Sequence, residues 1–460
     1  MKFLTMNKTR ILWISLSLIF NTLGCTKYLD LKPDNSFAVP HSLDDLEGLL
    51  DNSEVAMNFA TTGLGEVASD NYYLSETSWE GMTNEADRFL YLWQPYSPIA
   101  GQWTSPYKAI LHANTVLEYL PSIEVTSDQV TRAEYLKGSA LFHRAFQIFN
   151  LLHVFARPYS PNKINEQLGV VLRTQPSLDE KLFRSSVEEC YNFIIEGFIE
   201  AAALLPQRQD LLTRPSQAAA YAELARVYLV MGEFEKCTLY ADSALMLQSA
   251  LLDYESEIDP NKALPFSKWN KEVLFDVSMN GGIPLAPIRR RVNPLEYGKY
   301  EDNDIRKAAF FSIDDKDEIL FKGNYNGLNS SLLFCGTTTA EMYLIRAESK
   351  IRRNLLQEAA QDINHLRKHR FTQAAYEPLV FANLDHALAF IKEERQREMI
   401  FRGQKWPDMK RYILLQEFNG YMERVINGEN YRMTADEIIK YVYKLPDIVV
   451  DNGDLQQNDE

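Results

Sequence analysis

The strongest pattern along the chain is a recurrence of apolar residues at three- and four-residue spacing, which predicts amphipathic helices. One such stretch runs from Ala218 to Leu229 and is broken at Met231-Gly232. A second stretch follows from Glu233 to about Leu247. Small residues in both allow two antiparallel helices to approach closely, and the glycine permits a tight turn between them. The spacing is close to that of a tetratricopeptide repeat.

The same pattern occurs elsewhere in the chain. A second helix pair is predicted from Thr339 to about Arg370, and a third is formed by Thr131–Phe155 and Val187–Leu205, with a long crossover between them. Roughly three stacked pairs are needed to bury the apolar faces. We therefore predict a mostly α fold, a tetratricopeptide-like helical-repeat scaffold at about residues 103–250 and 337–412.

Two long stretches lack this helical period. Residues from about 61 to 104 and from about 254 to 334 are rich in Gly, Asn, Pro, Tyr and Trp. Loops of this length are uncommon unless they are functional or disordered, and their aromatic content argues against disorder. We predict that these two insertions form a loop-rich, aromatic-rich cap subdomain that carries ligand contacts.

Composition narrows the possible partners. The 460 residues are 46% hydrophobic and 24% charged, with 24 Tyr, 24 Phe and 6 Trp, and the formal net charge is −15. An acidic chain without a basic stripe repels a phosphate backbone, so no nucleic-acid partner is expected.

The N-terminus predicts export. A basic start and the apolar run Ile11–Phe20 are typical of a signal peptide, here residues 1–24, whether translation begins at Met1 or at Met6. Cys25 follows Thr22-Leu23-Gly24, a lipobox-like sequence, and is predicted to be lipidated, with residues 25–40 as a tether. Three cysteines remain, which does not make a disulfide framework.

Aromatic and polar residues in the two insertions are the predicted ligand contacts. Sugar rings present apolar C–H faces that stack on Trp or Tyr, while Asn, Asp and Arg bond the hydroxyls. The candidates are Asp70, Asn71, Tyr72, Tyr73, Trp79, Trp93 and Tyr96 in the first insertion, and Trp269, Asn280, Arg291, Tyr297, Tyr300 and Tyr325 in the second. Alternatively, these rings pack the loops onto the scaffold.

Six segments in order resemble the SusD/RagB family. They are Cys25–Asp30 behind the lipobox, Trp103–Asn114, Lys137–Ala145, Asp304–Arg306, Ala340–Glu348 and Glu394–Arg411. The resemblance covers residues 41–460 as one SusD-like domain. Arg402, where the family often has Glu, and the tail after Lys444 depart from the pattern.

This resemblance implies an outer-membrane lipoprotein facing the cell exterior. Such a protein captures an oligosaccharide, or sometimes a peptide, and passes it to a SusC-like TonB-dependent transporter. We expect no catalysis and no cofactor, and the sequence identifies no metal ligands, although it does not decide whether a structural metal is bound. Composition does not decide between glycan and peptide. A surface glycan hydrolase and a protein-binding helical-repeat adaptor that uses its concave face remain alternatives from other classes.

Several short motifs suggest chemistry but have simpler interpretations. Glu394 and Glu398 share a helix face, yet Arg395 and Arg397 intersperse them, which favours structural ion pairs. His365 and His369 have the spacing of two metal ligands but lack the Glu of H-E-x-x-H. The acidic run 314–318 lacks the alternation of an EF-hand loop. No phosphate-binding loop or nucleophile elbow occurs.

Overall fold

The structure is a computed structural model that describes residues 39–161, 163–177 and 181–458. Cys25, the predicted signal peptide and the predicted tether as far as residue 38 lie outside the described residues. Residues 39–41 belong to a separate N-terminal unit, and all the elements named below belong to the unit that begins at Ser42.

Helices dominate the described chain. In chain order they are α1 (Leu43–Leu50), α2 (Leu64–Ala68), α3 (Glu76–Glu80), α4 (Glu85–Tyr91), α5 (Gly101–Tyr119), α6 (Val130–Phe155), α7 (Val187–Leu204), α8 (Gln217–Met231), α9 (Phe234–Leu247), α10 (Tyr254–Glu257), α11 (Pro294–Tyr297), α12 (Ile305–Phe310), α13 (Thr339–Arg352), α14 (Leu356–Lys368), α15 (Leu384–Glu398), α16 (Lys405–Leu414), α17 (Ala435–Lys440) and α18 (Asp447–Gly453). A π-helical turn spans Ser53–Met57 and a 3-10 turn spans Leu120–Ser122.

The strands are short. They are β1 (Thr61–Thr62), β2 (Tyr72–Tyr73), β3 (Ser278–Asn280), β4 (Arg291–Val292), β5 (Phe311–Ile313), β6 (Ile319–Phe321), β7 (Leu332–Phe334), β8 (Tyr421–Ile426) and β9 (Glu429–Thr434). With long helices and few, short strands, the predicted mostly α fold is confirmed.

The long helices pack in sequence to form the scaffold. Each of α5 to α8 packs on the helix that follows it, α9 packs on α13, and α13 packs on both α14 and α15. The contact between α9 and α13 joins the first block of helices to the second across the intervening insertion, so one continuous apolar core runs through both blocks.

Local sequence signals set the ends of these helices. Ser216, Thr338 and Ser186 each accept a hydrogen bond from the backbone N–H three residues on, which satisfies a donor that the helix itself leaves free. Gly232 ends α8 at φ +77°, a left-handed conformation that costs glycine little. The predicted break at Met231-Gly232 is where the chain turns into α9.

The two insertions are joined to each other by strand pairing. β1 runs parallel to β3, which pairs antiparallel with β7, and β2 pairs antiparallel with β4. β5–β6 and β8–β9 are separate two-stranded hairpins. Segments more than two hundred residues apart in sequence therefore form one cap, which sets the position of the side chains described next.

The charged side chains of the segment Glu394–Arg411, which could suggest catalysis, are buried in the protein. Glu394 and Glu398 lie 2.8 and 3.0 Å from the Arg306 guanidinium, and all three side chains have no exposed surface. Arg395 binds Asp408 at 2.6 Å, and Trp406 is buried beside them. These contacts support the structural interpretation of the motif.

Candidate functional site

The pairing of β2 with β4 brings two predicted residues together. Tyr73 lies opposite Arg291 in the antiparallel register, and its side chain is 37% exposed. The Arg291 guanidinium forms an ion pair with Glu318, in the predicted acidic turn at the end of the β5–β6 hairpin. An exposed phenol and a half-buried guanidinium therefore stand side by side at the edge of the cap.

Trp79 forms a half-buried platform on α3. Its indole Nε1 donates to the Arg88 carbonyl at 3.1 Å, which fixes the ring against α4. The Arg88 guanidinium carbon lies 5.7 Å from the ring centroid. Arg289 donates to the Ser78 and Gly81 carbonyls at 2.6 and 3.1 Å, so the second insertion holds the helix that carries the tryptophan.

Tyr96 extends this aromatic surface. Its ring centroid lies 5.1 Å from that of Phe89, and its hydroxyl donates to Glu85 at 3.3 Å. The side chain is 37% exposed. We call the following exposed and half-buried residues the cap surface: Tyr73, Trp79, Arg88, Phe89, Tyr96, Arg289 and Arg291. It combines flat apolar rings with hydrogen-bonding groups, which suits a ligand with both apolar faces and hydroxyls.

Five predicted residues have their side chains inside the protein: Asn71, Tyr72, Trp93, Tyr300 and Tyr325. The Arg424 guanidinium is packed among the rings of Tyr72 and Trp93, and Trp93 Nε1 donates to the Ala68 carbonyl at 2.9 Å. Tyr300 donates to the Arg397 carbonyl at 2.7 Å, and Tyr325 to Glu272 at 3.0 Å. The structure gives these residues a packing role, so they are not part of the cap surface.

Asn71 and Asp70 are held by buried polar groups. Asn71 donates to Glu66 at 2.6 Å. Asp70 lies 2.7 Å from the Lys405 ammonium, which Glu296 also contacts at 2.5 Å. Burial raises the pKa of Asp70, but the charge and hydrogen bond of Lys405 together with the Lys299 charge and a backbone hydrogen bond outweigh it, so the net pKa is lowered. Both side chains are committed to internal contacts, and the Asp70–Lys405 pair joins the cap to α16.

The other predicted residues lie outside the cap surface. Trp269 is 38% exposed, and its Nε1 donates to Asp276 at 2.7 Å. Asn280 is exposed at the end of β3, where its side chain accepts from the Gly282 N–H. Tyr297 lines a pocket of about 440 Å³ whose wall includes Asp302 and Lys307.

Two residues of this region were missed by sequence reasoning. Arg88 lies over Trp79, and Asp87 is a buried carboxylate beside it on α4. The sequence Glu85-Ala86-Asp87-Arg88 looks like the solvated first turn of an ordinary helix, so no pattern of residues marks it. The Asn84 cap, which accepts from the Ala86 N–H, could indicate only where the helix begins.

A groove on the scaffold, separate from the cap surface, has a mainly apolar lining. It has a volume of about 470 Å³ and is lined mainly by apolar groups, with Trp103 and Tyr107 stacked at 4.8 Å between ring centroids. The Tyr107 hydroxyl donates a hydrogen bond to the Val171 carbonyl at 2.8 Å. This groove offers few polar groups for a hydroxyl-rich ligand.

Within the described ranges, no group of three or more His, Cys, Asp or Glu is placed to hold a metal ion. His365 and His369 have ring centroids 5.1 Å apart, and the His369 Nδ1 atom bonds the His365 carbonyl. Cys190, Cys237 and Cys335 are free thiols, and all three are buried. Among the helices that the structure describes, none is both long enough and apolar enough to cross a bilayer.

Two family models match the chain. A model described as starch-binding and associating with the outer membrane matches residues 27–229, and a model of the SusD family matches residues 339–458. Between them they cover most of the sequence, including four of the six segments that resemble SusD/RagB motifs in full, while Asp304–Arg306 lies between the two matches.

Individual relatives agree with these matches. A SusD-like protein P2 of Formosa agariphila is 24% identical, with 78% of this chain and 80% of that protein covered. A SusD superfamily structure from Bacteroides thetaiotaomicron aligns with a TM-score of 0.74 at 21% identity, covering 91% of this chain and 100% of that one. A putative sugar-binding protein from Bacteroides vulgatus aligns with a TM-score of 0.73 at 19% identity, covering 92% and 99%. The structural likeness shows a shared tetratricopeptide-like fold.

Proposed function

Because the chain belongs to the SusD/RagB family, we propose that it captures oligosaccharides at the cell surface and that they bind to the cap surface. The observation that carries this proposal is the position of Trp79. It is a half-buried indole fixed by a hydrogen bond to α4, with the Arg88 guanidinium beside it and Tyr73 and Tyr96 on neighbouring segments. A rigid ring loses little entropy when a sugar face stacks on it.

The charges of the cap surface favour neutral sugars. Arg291 is paired with Glu318, and Arg289 is bonded to two carbonyls. Tyr96 donates to Glu85, which also lies 3.9 Å from Arg88. Since the Arg289 and Arg291 charges already have close partners, a ligand gains more from stacking and hydroxyl bonding than from a charge of its own. A peptide ligand remains the alternative within the family.

Delivery completes the proposal. After capture, the ligand passes to a SusC-like TonB-dependent transporter in the outer membrane, and lipid on Cys25 holds the protein at the cell exterior. One acyl chain anchors a protein only marginally, so the proposal includes more than one chain on Cys25. This part rests on family membership.

The function is proposed to be non-catalytic. Glu394 and Glu398, the pair that suggests glycosidase chemistry, have no exposed surface and bind Arg306. A surface hydrolase would need another pair of carboxylates in an open pocket. Candidate oligosaccharides should therefore emerge at unchanged length after long incubation with the protein, as measured by chromatography. Shortened products would establish the hydrolase instead.

Affinity purification of the tagged, full-length protein from gently solubilised native membranes tests the uptake role. We expect a large TonB-dependent barrel at near-equal amounts, identified by mass spectrometry, and a co-purifying sugar would identify the cargo. The matched control is a Cys25→Ala variant, which should leave the membrane fraction. Recovery of the wild-type protein alone, or with soluble proteins only, would contradict delivery and favour the adaptor function.

A further inference from the structure

Asp87 occupies an unusual position beside the cap surface. It lies in the first turn of α4, is only 8% exposed, and is influenced by the positive charge of Arg289. Its Oδ1 atom lies 4.0 Å from where a Cβ on Gly282 would stand. Because Gly282 has no side chain, the second insertion leaves room for about a methyl group next to this carboxylate.

The Asp87 carboxylate has no hydrogen-bond or ion-pair partner among the residues that the structure describes, and its Oδ2 atom is fully buried. Buried carboxylates are ordinarily paired, since an unpartnered charge is costly to remove from water. Glu66, a neighbouring buried carboxylate of the cap, shows the usual arrangement. It accepts from Asn71 at 2.6 Å and from the Gly403 N–H at 3.0 Å.

Asp87 and its neighbours provide hydrogen-bonding groups that other protein residues do not use. The next residue, Arg88, has its guanidinium over the Trp79 ring, and its nearest carboxylate oxygen, on Glu85, is 3.9 Å away. That distance is too long for a hydrogen bond, so the guanidinium donors are largely unused. Arg289, whose charge acts on Asp87, also holds the helix that carries Trp79. An unpartnered acceptor and an underused donor therefore belong to the same part of the cap as the aromatic platform, and a sugar can use each of them.

Because Oδ2 is fully buried, only Oδ1 can meet a ligand. We propose that Asp87 is the specificity-determining residue of the cap surface, accepting a hydrogen bond through Oδ1 from a free hydroxyl on the sugar that stacks on Trp79. This rests on the proposed function and adds the ligand's chemical class. At this position the site selects a neutral sugar with an unsubstituted hydroxyl. It rejects a carboxylate or sulfate, because like charges repel, and an O-substituted sugar, because the donor is lost.

The thermal stability of an Asp87 variant distinguishes a role in ligand binding from a structural role. Burial raises the pKa of Asp87, with the Arg289 charge opposing this effect. A carboxyl group whose folded pKa is raised destabilises the folded state above its ordinary pKa, because its charge must be kept in the protein interior. Replacing it by the neutral, similarly shaped Asn should therefore raise Tm at pH 7 while ligand binding weakens. A residue kept for structure would show a lower Tm with unchanged binding.

The experiment compares the wild-type protein with Asp87→Asn. Binding of maltoheptaose, laminarihexaose and xylohexaose is measured by calorimetry at pH 7, and Tm is measured without ligand. We expect the tightest of these probes to bind at least about tenfold more weakly to D87N, and Tm to be higher. Glu76→Gln removes an exposed charge from α3 and is the matched control, with both quantities unchanged.

Two further outcomes distinguish the failure of this inference from that of the proposed function. If Trp79→Ala loses binding but D87N binds as tightly as the wild type, the site stands and the role of Asp87 is overturned. If none of the three probes binds the wild-type protein, the proposed neutral-glycan function fails and this inference with it. A lower Tm in D87N with unchanged affinity would identify Asp87 as a structural residue.

Discussion

Glu223 shows how the position of one residue sets its charge. It is fully buried on α8, and one of its oxygens lies 3.3 Å from Arg226. The same arginine makes closer contacts with Glu341, whose Oε1 lies 2.9 Å from Nε. Burial raises the pKa of Glu223 to about 7, while Arg226 partly opposes the rise. The carboxyl group therefore titrates near neutrality in the folded protein.

Glu223→Gln should stabilise the protein at high pH only. In the unfolded chain the pKa has its ordinary value of 4.5, so the folded state binds the proton more tightly. Stability falls as the pH rises from 4.5 to about 7, and the cost of the buried charge is fully present above that. We expect the variant to raise Tm by about 2–4 °C at pH 8, with a smaller change at pH 5, measured by calorimetry.

Glu348→Gln is the matched control with the opposite sign. Burial raises the pKa of Glu348, but Arg411 and Arg352 outweigh this effect and lower it. Its charge therefore stabilises the folded state above pH 4.5, and removing one partner of a buried pair costs about 3–5 kcal/mol. A similar loss of Tm in both variants at pH 8 would contradict the distinction between the two carboxylates.

At the scale of elements, close helix packing depends on particular small residues. A Cβ added at Gly138 in α6 would lie 2.9 Å from the Leu204 Cβ in α7, too close for ordinary contact. Gly48 in α1 is exposed, and a Cβ there would meet nothing within 4 Å. The two glycines differ only in their surroundings, since both lie within helices.

Gly138→Ala and Gly48→Ala should therefore change stability in opposite directions. Gly48→Ala reduces the entropy of the unfolded helix segment and should stabilise the protein by about 0.5–1 kcal/mol. Gly138→Ala forces α6 and α7 apart, with a net loss of about 1 kcal/mol or more. Denaturant unfolding measures both. A gain in both variants would mean that these helices are not packed as closely as described.

At the scale of the whole molecule, the sequence predicts the scaffold better than the site. The helices followed from apolar spacing, from Gly232 and from the small residues, all of which act locally. The pairing of β2 with β4 involves two residues on each strand, too few for a pattern, yet it brings Tyr73 next to Arg291. Tyr72 and Tyr73 are adjacent in sequence. Because side chains alternate between the two faces of a strand, Tyr72 is buried and Tyr73 is exposed.

The sequence also could not separate the predicted aromatic residues that are buried from those that are exposed or half-buried. An aromatic residue in a long insertion can pack the loop or present a ring to solvent, and composition does not separate the two. Trp93 became part of the packing around Arg424, whereas Trp79, fourteen residues earlier, stayed half-buried on α3. Asp87 and Arg88 became candidates only when the fold placed them beside Trp79. Burial and neighbours, which depend on the whole chain, decide such cases.

The most direct test of the account is the affinity of neutral oligosaccharides for a Tyr73→Ala/Trp79→Ala double variant. The probes are maltoheptaose, laminarihexaose and xylohexaose, and their binding is measured by calorimetry. Trp269→Ala is the matched control, because it removes a similarly exposed ring outside the cap surface. We predict that the wild-type protein and Trp269→Ala bind one probe equally well, and that the double variant binds it at least about tenfold more weakly while remaining folded. Undiminished binding by the folded double variant, or a loss confined to Trp269→Ala, would contradict the assignment of the cap surface.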